Sequence, residues 1–532
     1  MTQKSIAKRT ERNTACFVLS GLAVLLAGSF GCVGTARQAT SVKLIKVDAP
    51  FAMPAIKEPC FPDRTFDIRE FGGVGDGNTL NTAAFAAAIG ACAKAGGGSV
   101  CVPAGTWLTG PIHFKSNVNL KIDKDAVIRF STNFNDYLPV VFTRYEGIEC
   151  YNYSPMIYAN GCRNIAITGS GRLDGQGQAW WPLAKQQKDS TKRLYEMTRG
   201  VPVKDRIFGN TDTPLRPSFI QFVNCRIVLM EGITVGSGPM WTIHPVYCEN
   251  FIARNLTVIT KGPNNDGINP DSCRNVLIEN CRFDTGDDAI AVKSGLNEDG
   301  WRVNRPSENI VVRNCRFGLG TPTDGVVSIG SDMSGGVRNV YIHDCHFNGT
   351  VRGIRIKSMR GRGGVVENIW MENITIDRTG GEAILLNTFY KSSTVVPFLN
   401  TPPVFRNIHI KNIKCAKAKD AVRIIGLPEQ PIENVTIENA DISAENGIAC
   451  TDVTGVRLVN ITIRNDKGPV IILTDTRSAT IENSTAVKDV EAFLKLDGSK
   501  TAAIRLKNCH LNKARNPVVY GKAVNADAVR FE

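Results

Sequence analysis

The sequence lacks several signatures that would assign a protein to a class directly. Beyond residue 30, no segment is long and apolar enough to span a membrane. No Cys or His spacing resembles a zinc site. The basic residues are spread along the chain without a recognisable nucleic-acid-binding module. The glycine-rich segment 72–77, GGVGDG, lacks the Lys-containing pattern of a phosphate-binding loop. We therefore expect no metal, no cofactor and no nucleic-acid partner.

The composition is that of a soluble globular protein, with 42% hydrophobic and 21% charged residues. Its 532 residues are enough for one large core or for two domains of ordinary size. The formal net charge of +13 favours an anionic partner, such as nucleic acid, a membrane surface or an acidic polysaccharide. Nucleic acid is the weakest of these three interpretations, because no module for it is present.

The N-terminus has the organisation of an export signal. Residues 1–13 carry four basic side chains and precede a short apolar run at 15–30. The run ends in SFGC, which resembles a bacterial lipobox with Cys32 as the lipidated residue, although Phe30 stands where a small residue is usual. A plain signal peptide cleaved nearby is an equal alternative. Either interpretation predicts an exported protein, whether periplasmic, at the cell surface or secreted. The lipobox interpretation adds a lipid on Cys32 as the only membrane contact.

The sixteen cysteines would suggest disulfide bonds in an exported protein, but their placement argues against a dense disulfide framework. Three of them occupy the same place in similar segments and are expected to stack as small buried side chains: Cys281, Cys315 and Cys345. The pairs to test for disulfide bonds are Cys92 with Cys101 and Cys150 with Cys162.

From Phe66 onward the chain repeats one short plan. After a helix predicted at Asn81 to Ala95, which would cap the core, segments such as RNVLIENCRFDT, ENIVVRNCRFGL and RNVYIHDCHFNG each contain two short alternating β segments. Such recurrence is typical of a solenoid, and we predict an all-β fold, a single-stranded right-handed parallel β-helix with a short N-terminal capping helix. A β-propeller is the alternative, but its blades should be longer and more regular.

The predicted organisation is a signal at 1–32, an N-terminal extension at 33–65, and a β-helix at 66–532 without a linker to a second domain. A polar, basic insertion at 176–217 interrupts the repeats. Long loops on a solenoid usually lie over the binding face, although this one could also be a solvated excursion. A monomer is expected.

Three carboxylates lie in polar, glycine-punctuated settings on either side of a predicted strand: Asp266, Asp287 and Asp288. The spacing of 22 residues between Asp266 and Asp288 is about one turn of a coiled parallel β architecture, so both would reach one surface. Converging carboxyl groups suit glycoside hydrolysis, in which one acid protonates the leaving oxygen and another carboxylate activates water or attacks the sugar. The spacing alone does not assign these roles.

These residues resemble a known family. Asn264-Asn265-Asp266, Gly286-Asp287-Asp288 and Arg355-Ile356-Lys357 are similar, in order, to the NTD, DD and RIK motifs of the polygalacturonases, glycoside hydrolase family 28. The likeness runs from about Phe66 to about Ala440.

The resemblance implies a right-handed β-helix that hydrolyses α-1,4 bonds of pectic galacturonan with inversion. Asp287 would be the general acid, and Asp266 with Asp288 would position and deprotonate the water. Acid and base should then stand roughly 6.5 to 9.5 Å apart. Arg355 and Lys357 would bind the substrate carboxylate, and Asn264 would supply a neutral hydrogen bond. Action on chain ends is suggested by the insertion, which could block one end of the groove.

The fourth family motif departs from the pattern. Asp324 stands where the family usually has His, and no His lies between His244 and His343. The replacement puts the identity of the pectic substrate and the catalytic efficiency in question, because a further carboxylate could raise the pKa of Asp287 or repel an anionic sugar. His244, about one coil before Asn264, is a candidate to compensate at the sugar, and is as easily a structural histidine.

Other functions remain open alongside an exo-acting pectin hydrolase. A hydrolase of rhamnogalacturonan or xylogalacturonan type is the nearest, in view of Asp324. A Ca²⁺-dependent pectate lyase would be sensitive to chelators and would leave an unsaturated product. A non-catalytic pectin-binding solenoid is the third, although retention of all three aspartates argues against it.

Overall fold

A computed structural model of the chain describes residues 42–318, 326–390 and 401–532. Almost all strands belong to one system of parallel pairings in which each strand bonds to its counterpart in the next coil. The architecture is a right-handed parallel β-helix, and the prediction of that fold is confirmed. The predicted signal at 1–32, with Cys32, lies outside the described residues.

The first part of the chain forms short strands and one long helix. Helix α1 is Thr82–Lys94. Strands β1 to β13 are Lys43–Ile45, Ile56–Glu58, Thr65–Asp67, Gly98–Val102, Gly105–Thr109, Ile112–His113, Val118–Ile122, Ala126–Phe130, Val141–Tyr145, Ile148–Asn152, Ile157–Asn160, Arg163–Gly169 and Arg172–Asp174.

The central part carries three further helices and the strands that surround the site. Helices α2, α3 and α4 are Leu183–Gln186, Lys188–Met197 and Asn297–Val303. Strands β14 to β25 are Ile220–Val223, Arg226–Glu231, Thr234–Gly236, Ile243–Val246, Glu249–Arg254, Thr257–Thr260, Arg274–Glu279, Arg282–Thr285, Ile290–Val292, Ser307–Arg313, Arg316–Phe317 and Val327–Ile329.

The last part consists of strands, several of which continue around the corners of a coil. Strands β26 to β38 are Val337–Thr350, Ile354–Lys357, Val365–Thr379, Glu382–Asn387, Val404–Ile425, Ile432–Thr451, Val453–Thr474, Thr480–Glu482, Thr485–Ala486, Val490–Asp497, Ile504–Lys507, Ala514–Tyr520 and Val529–Phe531. Within the three described stretches, no helix combines the length and apolar character needed to cross a bilayer.

The asparagine near the start of each repeat makes the corner of its coil. Asn275, Asn309, Asn339 and Asn368 all have φ between 55° and 57°, the left-handed conformation that Asn tolerates better than most residues. The side chains of the last three each donate to the asparagine one coil earlier, with distances of 3.1 Å from Asn309 to Asn275 and from Asn339 to Asn309. The recurrent asparagine thus turns the chain and ties neighbouring coils together.

Inside the coils, equivalent side chains stack to form the core. The rings of Phe283, Phe317 and Phe347 are stacked, with centroids 5.4 and 4.6 Å apart. The predicted cysteine stack is confirmed, because Cys281, Cys315 and Cys345 are all buried and the strand register aligns them on successive coils. The fourteen cysteines that the structure describes are all free thiols, including the two pairs proposed for disulfide tests.

We expect Phe317→Leu to lower the free energy of unfolding by about 1–3 kcal/mol, because it removes two ring stacks without leaving a large cavity. Guanidinium denaturation would measure the change. Phe531→Leu, at a ring that is 62% exposed, is the control and should change stability by less than about 0.5 kcal/mol. Equal effects of the two substitutions would contradict the role of the stack.

The predicted capping helix is present, and its observed bounds lie one residue inside the predicted Asn81 to Ala95 at each end. Its buried face, which includes Phe85 and Ile89, covers the first strands of the β-helix. The Asn81 side chain does not cap the helix but bonds to the backbone of Val74 and Leu108, which fixes the glycine-rich turn against the first coil.

The N-terminal extension forms a hairpin of β1 and β2 on the outside of the β-helix. It lies on a row of outward-facing apolar side chains from successive coils, Ala166, Leu229, Ile252, Leu277 and Val311. At its C-terminal end, the backbone N–H groups of Lys57 and Cys60 donate to the side chains of Asn250 and Asn164 in the coils beneath. At its tip, Phe51 packs on Trp370 with ring centroids 5.4 Å apart.

Candidate active site

The register of the coils places Asp266 and Asp288 side by side. Ile268 pairs with Ile290, and the same offset of 22 residues brings Asp266 opposite Asp288 on the neighbouring coil. The backbone N–H of Gly267 donates to the carbonyl of Asp288 at 2.9 Å, which fixes this alignment. The predicted spacing of one coil is confirmed. Both carboxylates and Asp287 line one cavity of about 340 Å³.

Asp288 is the most strongly paired of the three carboxylates. Its Oδ1 accepts from Ser328 Oγ at 2.8 Å and from Arg355 Nη2 at 2.5 Å, and its Oδ2 accepts from Lys357 Nζ at 2.8 Å. Burial alone would raise the pKa of Asp288, but the positive charges of Lys357 and Arg355 outweigh it and hold that pKa below its usual value. Asp288 is therefore a weakly basic, firmly oriented carboxylate.

Asp266 lies in a different electrostatic setting. It is only 3% exposed, and its Oδ2 accepts from Asn269 Nδ2 at 2.6 Å. Burial raises the pKa of Asp266 well above its usual value, and the carboxylate of Asp287 raises it further, whereas Lys293 acts in the opposite direction. Asp266 is consequently more basic than Asp288, although the two occupy equivalent positions on adjacent coils.

Asp287 is the least buried of the three and points into the cavity from the turn after β21. Its backbone carbonyl accepts from Thr285 Oγ1 at 2.7 Å, and its Oδ1 accepts from the backbone N–H of Asp288 at 2.9 Å. The turn thus orients Asp287 and Asp288 in different directions, one toward the cavity and the other toward the cations.

The two predicted cationic residues lie on one face of β27, as residues two apart on a strand must. The side chains of Arg355 and Lys357 are 11% and 8% exposed, and both line the cavity. They bind Asp288 in the absence of substrate. Lys357 Nζ also lies 5.5 Å from the centroid of the Tyr390 ring, so one wall combines positive charge with an aromatic surface.

The two asparagines of the motif Asn264-Asn265-Asp266 have different roles. Asn264 is exposed at the cavity, and its Oδ1 accepts from Arg216 Nη2 at 2.8 Å. Asn265 is fully buried and bonds to the backbone of Gly238, Met240 and Gly262. Asn265 shapes the turn, and Asn264 is available to a ligand beside it.

The structure does not place His244 at the cavity. Its side chain is fully buried: Nδ1 lies 2.8 Å from Gln221 Nε2, and Nε2 lies 3.3 Å from Asp271 Oδ2. Because the Gln221 amide donates to Nδ1, the imidazole carries its proton on Nε2 and donates it to Asp271. Burial lowers the pKa of His244, which keeps it neutral. These surroundings correct its prediction as a substrate contact and favour the structural alternative. The predicted residue Asp324 lies outside the described residues.

Several cavity residues were not predicted from the sequence. They come from six separate segments of the chain: Glu146, Tyr195, Trp241, Lys293, Asp332 and Arg362. Lys293 had a readable signal, because it follows the Asp287-Asp288 turn at the end of β22. The sequence also indicated Tyr195 indirectly, because it lies in the insertion at 176–217 that is predicted to lie over the binding face. The approach of the remaining residues depends on how distant loops pack.

The insertion at 176–217 supplies one wall of the cavity. It is anchored by Trp180, whose ring is buried and stacks on Phe134 at 4.0 Å, and by Trp181 Nε1, which donates to the Gly238 carbonyl at 3.0 Å. From α3, the hydroxyl of Tyr195 donates to Glu146. Burial raises the pKa of Glu146, while that hydrogen bond lowers it. The segment is therefore a packed part of the site.

The described side chains around the cavity are not arranged as a metal centre. Within residues 42–318, 326–390 and 401–532, no group of three or more His, Cys, Asp or Glu side chains is arranged to hold a metal ion. Each buried carboxylate of the cavity contacts a Lys, Arg, Asn or Ser side chain instead, as Asp288 and Asp266 illustrate. The chemistry that these residues support directly is proton transfer beside positive charge.

Comparisons with known proteins assign the chain to a family. The family model of the glycosyl hydrolases family 28 matches residues 92–458. A probable polygalacturonase of Vitis vinifera is 33% identical over 73% of this chain and 77% of its own length. An endo-polygalacturonase of Pectobacterium carotovorum subsp. carotovorum is 28% identical over 65% of this chain and 80% of its own length.

Among solved structures, a hyperthermoactive exopolygalacturonase from Thermotoga maritima is similar with a TM-score of 0.69 and 42% identity. The match covers 74% of this chain and 92% of that structure. The family model spans well over half of the chain and includes all three motifs around the cavity. The chain therefore belongs to glycosyl hydrolase family 28, the polygalacturonase family, and is a glycoside hydrolase.

Proposed function

We propose that this enzyme hydrolyses α-1,4-galacturonosyl bonds of pectic galacturonan with inversion, releasing galacturonate from chain ends. One observation carries the proposal: Asp266, Asp287 and Asp288 line a single cavity together with Arg355 and Lys357. Carboxylates supply the acid and base of glycoside hydrolysis, and the cations suit a sugar that carries a carboxylate.

The environments of the three carboxylates support distinct roles. Asp287, the most exposed, is proposed as the general acid that protonates the leaving oxygen. Asp266, the more basic of the buried pair, is proposed to take the proton of the attacking water. Asp288, bound to three donors, is proposed to orient that water and to hold the cationic wall in place.

The cationic wall is proposed to select an acidic sugar. Asp288 uses one nitrogen of the Arg355 guanidinium for its short contact, which leaves further N–H groups of that planar fork for a second carboxylate. Arg352 and Arg362 line the same cavity, so positive charge extends beyond the Asp288 contact. A neutral sugar would accept hydrogen bonds from these cations but would gain no ionic attraction.

The insertion supports action on chain ends. Tyr195 on α3 and its partner Glu146 stand at the cavity, so the insertion gives the space beside the three aspartates a wall on one side. The named relatives include an exopolygalacturonase and an endo-polygalacturonase. The proposal of exo action therefore rests on this wall.

Incubation of the enzyme with polygalacturonate and short oligogalacturonides tests the proposal. We expect saturated monomer to dominate from the earliest times, and the anomer formed first, followed by proton NMR, to be inverted. An unsaturated product would indicate a lyase. A ladder of oligomers at early times would overturn exo action while leaving the hydrolase intact.

Tyr195→Ala is expected to raise the ratio of early oligomer to monomer product by on the order of tenfold, because it removes one side chain of the blocking wall. Chromatography of timed digests would measure the ratio. Tyr520→Ala, at an exposed strand near the C-terminus, is the matched control and should leave the ratio unchanged. An unchanged ratio in Tyr195→Ala would argue that α3 does not set the mode of cleavage.

A further inference from the structure

Lys293 is a buried lysine at the base of the active-site cavity. Its side chain is 5% exposed, and its Nζ lies 3.8 Å from Asp266 Oδ2 and 3.5 Å from Asp332 Oδ2. The same nitrogen lies 4.3 Å from the centroid of the Trp241 ring. An ammonium group with so little contact with water requires compensation from the groups around it, and these three supply it.

The cations of the cavity are divided between the two buried catalytic carboxylates. Arg355 and Lys357 both contact Asp288. Among the described residues, Lys293 is the cation within ion-pair distance of Asp266, and Asp266 shares it with Asp332. A single shared charge offsets the cost of burying an ionised carboxylate less completely than two dedicated ones.

We infer that Lys293 is a positioning residue that keeps Asp266 ionised and aimed as the base that activates water, and that Asp332 limits this effect by sharing the lysine. The inference rests on the proposed function and assigns the proton of the attacking water to Asp266 rather than to Asp288. Lys293 and Asp332 thus act on the reaction through Asp266, and neither contacts the reacting bond.

Other charged groups around this pair act in both directions. The negative groups facing it from neighbouring elements are Asp287, Asp288 and Glu146, and the positive groups are Arg355, Lys357 and Arg362. Below the cavity lie neutral His244 and Asp271, and Asp271 is paired with the buried Arg144 at 2.9 Å. Burial lowers the pKa of Lys293, but Asp332 and Asp266 outweigh it and hold that pKa above its usual value, so Lys293 stays charged.

The position of Lys293 also gives Asp266 a basicity suited to its task. A carboxylate that is fully neutralised, as Asp288 is, takes up a proton poorly, whereas a buried carboxylate without a cation would already be protonated at the working pH. Asp266 has one shared lysine at 3.8 Å, so the compensation of its charge is intermediate between these two cases. Loss of the lysine should therefore remove the base by protonating it.

The test compares Lys293→Met with Lys293→Arg and with the surface control Lys467→Met, whose lysine is 71% exposed and pairs with Glu445 at 3.2 Å. In Lys293→Met, we expect the acid limb of the pH profile of kcat/KM to move to higher pH by about one unit or more. We also expect kcat to fall by at least about tenfold. Lys293→Arg keeps the charge and should keep the limb near its original pH. Lys467→Met should leave both quantities unchanged.

Asp332→Asn provides a change of opposite sign. It leaves Lys293 entirely to Asp266, so the acid limb should move to lower pH. An acid limb that stays in place in Lys293→Met while kcat falls would reduce Lys293 to a structural residue and overturn the inference. The same conclusion would follow if Asp332→Asn and Lys293→Met moved the limb in the same direction.

A titration without substrate separates this inference from the proposed function. Carbon-13 NMR of the aspartate carboxyl groups, with the Asp266 signal assigned from Asp266→Asn, should show the Asp266 midpoint at higher pH in Lys293→Met than in the native enzyme. Failure of the native enzyme to release galacturonate would overturn the proposed function alone. An unmoved Asp266 midpoint would overturn the role of Lys293 alone.

Discussion

Asp287→Asn is expected to reduce kcat for galacturonate release by about 10³- to 10⁴-fold, with a small effect on KM. Asparagine has nearly the same shape and can keep the bond from the Asp288 backbone N–H, but it has no proton to give to the leaving oxygen. Asp287 contacts neither cation of the substrate-binding wall directly, so binding should survive. Rates and product amounts from oligogalacturonides would measure the loss.

A substrate with a good leaving group provides the internal check on this role. Such a group departs without protonation, so Asp287→Asn should lose far less activity on an aryl galacturonide than on a natural oligomer. Asp441→Asn, at an exposed carboxylate on the outer surface, is the control and should retain full activity on both. Equal losses of Asp287→Asn on the two substrates would assign general-acid catalysis to another residue.

The second large effect is a pair of opposite stability changes at two equivalent positions. Asp288→Asn should lower the free energy of unfolding by about 3–5 kcal/mol, because it leaves Arg355 and Lys357 buried without a counter-charge. Asp266→Asn should raise it by about 1 kcal/mol, because the buried Asp266 carboxylate is unfavourable at neutral pH. Both variants should lose most of their activity. Calorimetry and guanidinium denaturation at pH 7 would measure the two shifts.

The pH dependence of stability follows the same signs. The folded pKa of Asp288 is depressed, so its contribution is present above the unfolded pKa of about 3.9 and is lost as the pH falls toward the folded value. The folded pKa of Asp266 is raised, so the native state holds its proton more tightly, and stability is lost as the pH rises from the unfolded pKa of about 3.9 toward the higher folded pKa. Asp266→Asn should remove this decline, and Asp288→Asn should remove the gain. Stability changes of the same sign at pH 7 would contradict the contrast between the two sites.

The fold and part of the site could be predicted because they depend on local, repeated signals. The asparagine corners recur along the chain, and the spacing of 22 residues between Asp266 and Asp288 equals the register of adjacent coils. Residues two apart on β27 had to share a face. These features need only the period of the coil, which the sequence displays directly.

The remainder of the site depends on contacts between distant segments. Tyr195 reaches Glu146 because α3 packs beside the cavity, and no local pattern encodes that approach. His244 faces outward from its strand, as a residue at the substrate would, but Trp241 lies against it, and Gln221 and Asp271 occupy its nitrogens. A sequence period gives the direction of a side chain, whereas the covering layer decides whether that side chain meets solvent.

The hairpin of the N-terminal extension has a consequence for the order of folding. Residues 43–58 are synthesised early, yet their apolar contacts include Leu277 and Val311, and Phe51 packs on Trp370, which is made about three hundred residues later. During synthesis the coils can stack on their neighbours in sequence, as in other solenoids, but the hairpin has no complete surface to bind until the coil of Trp370 exists. Its docking therefore marks the stage at which the central coils are complete, and until that stage the hairpin leaves an apolar segment accessible to chaperones.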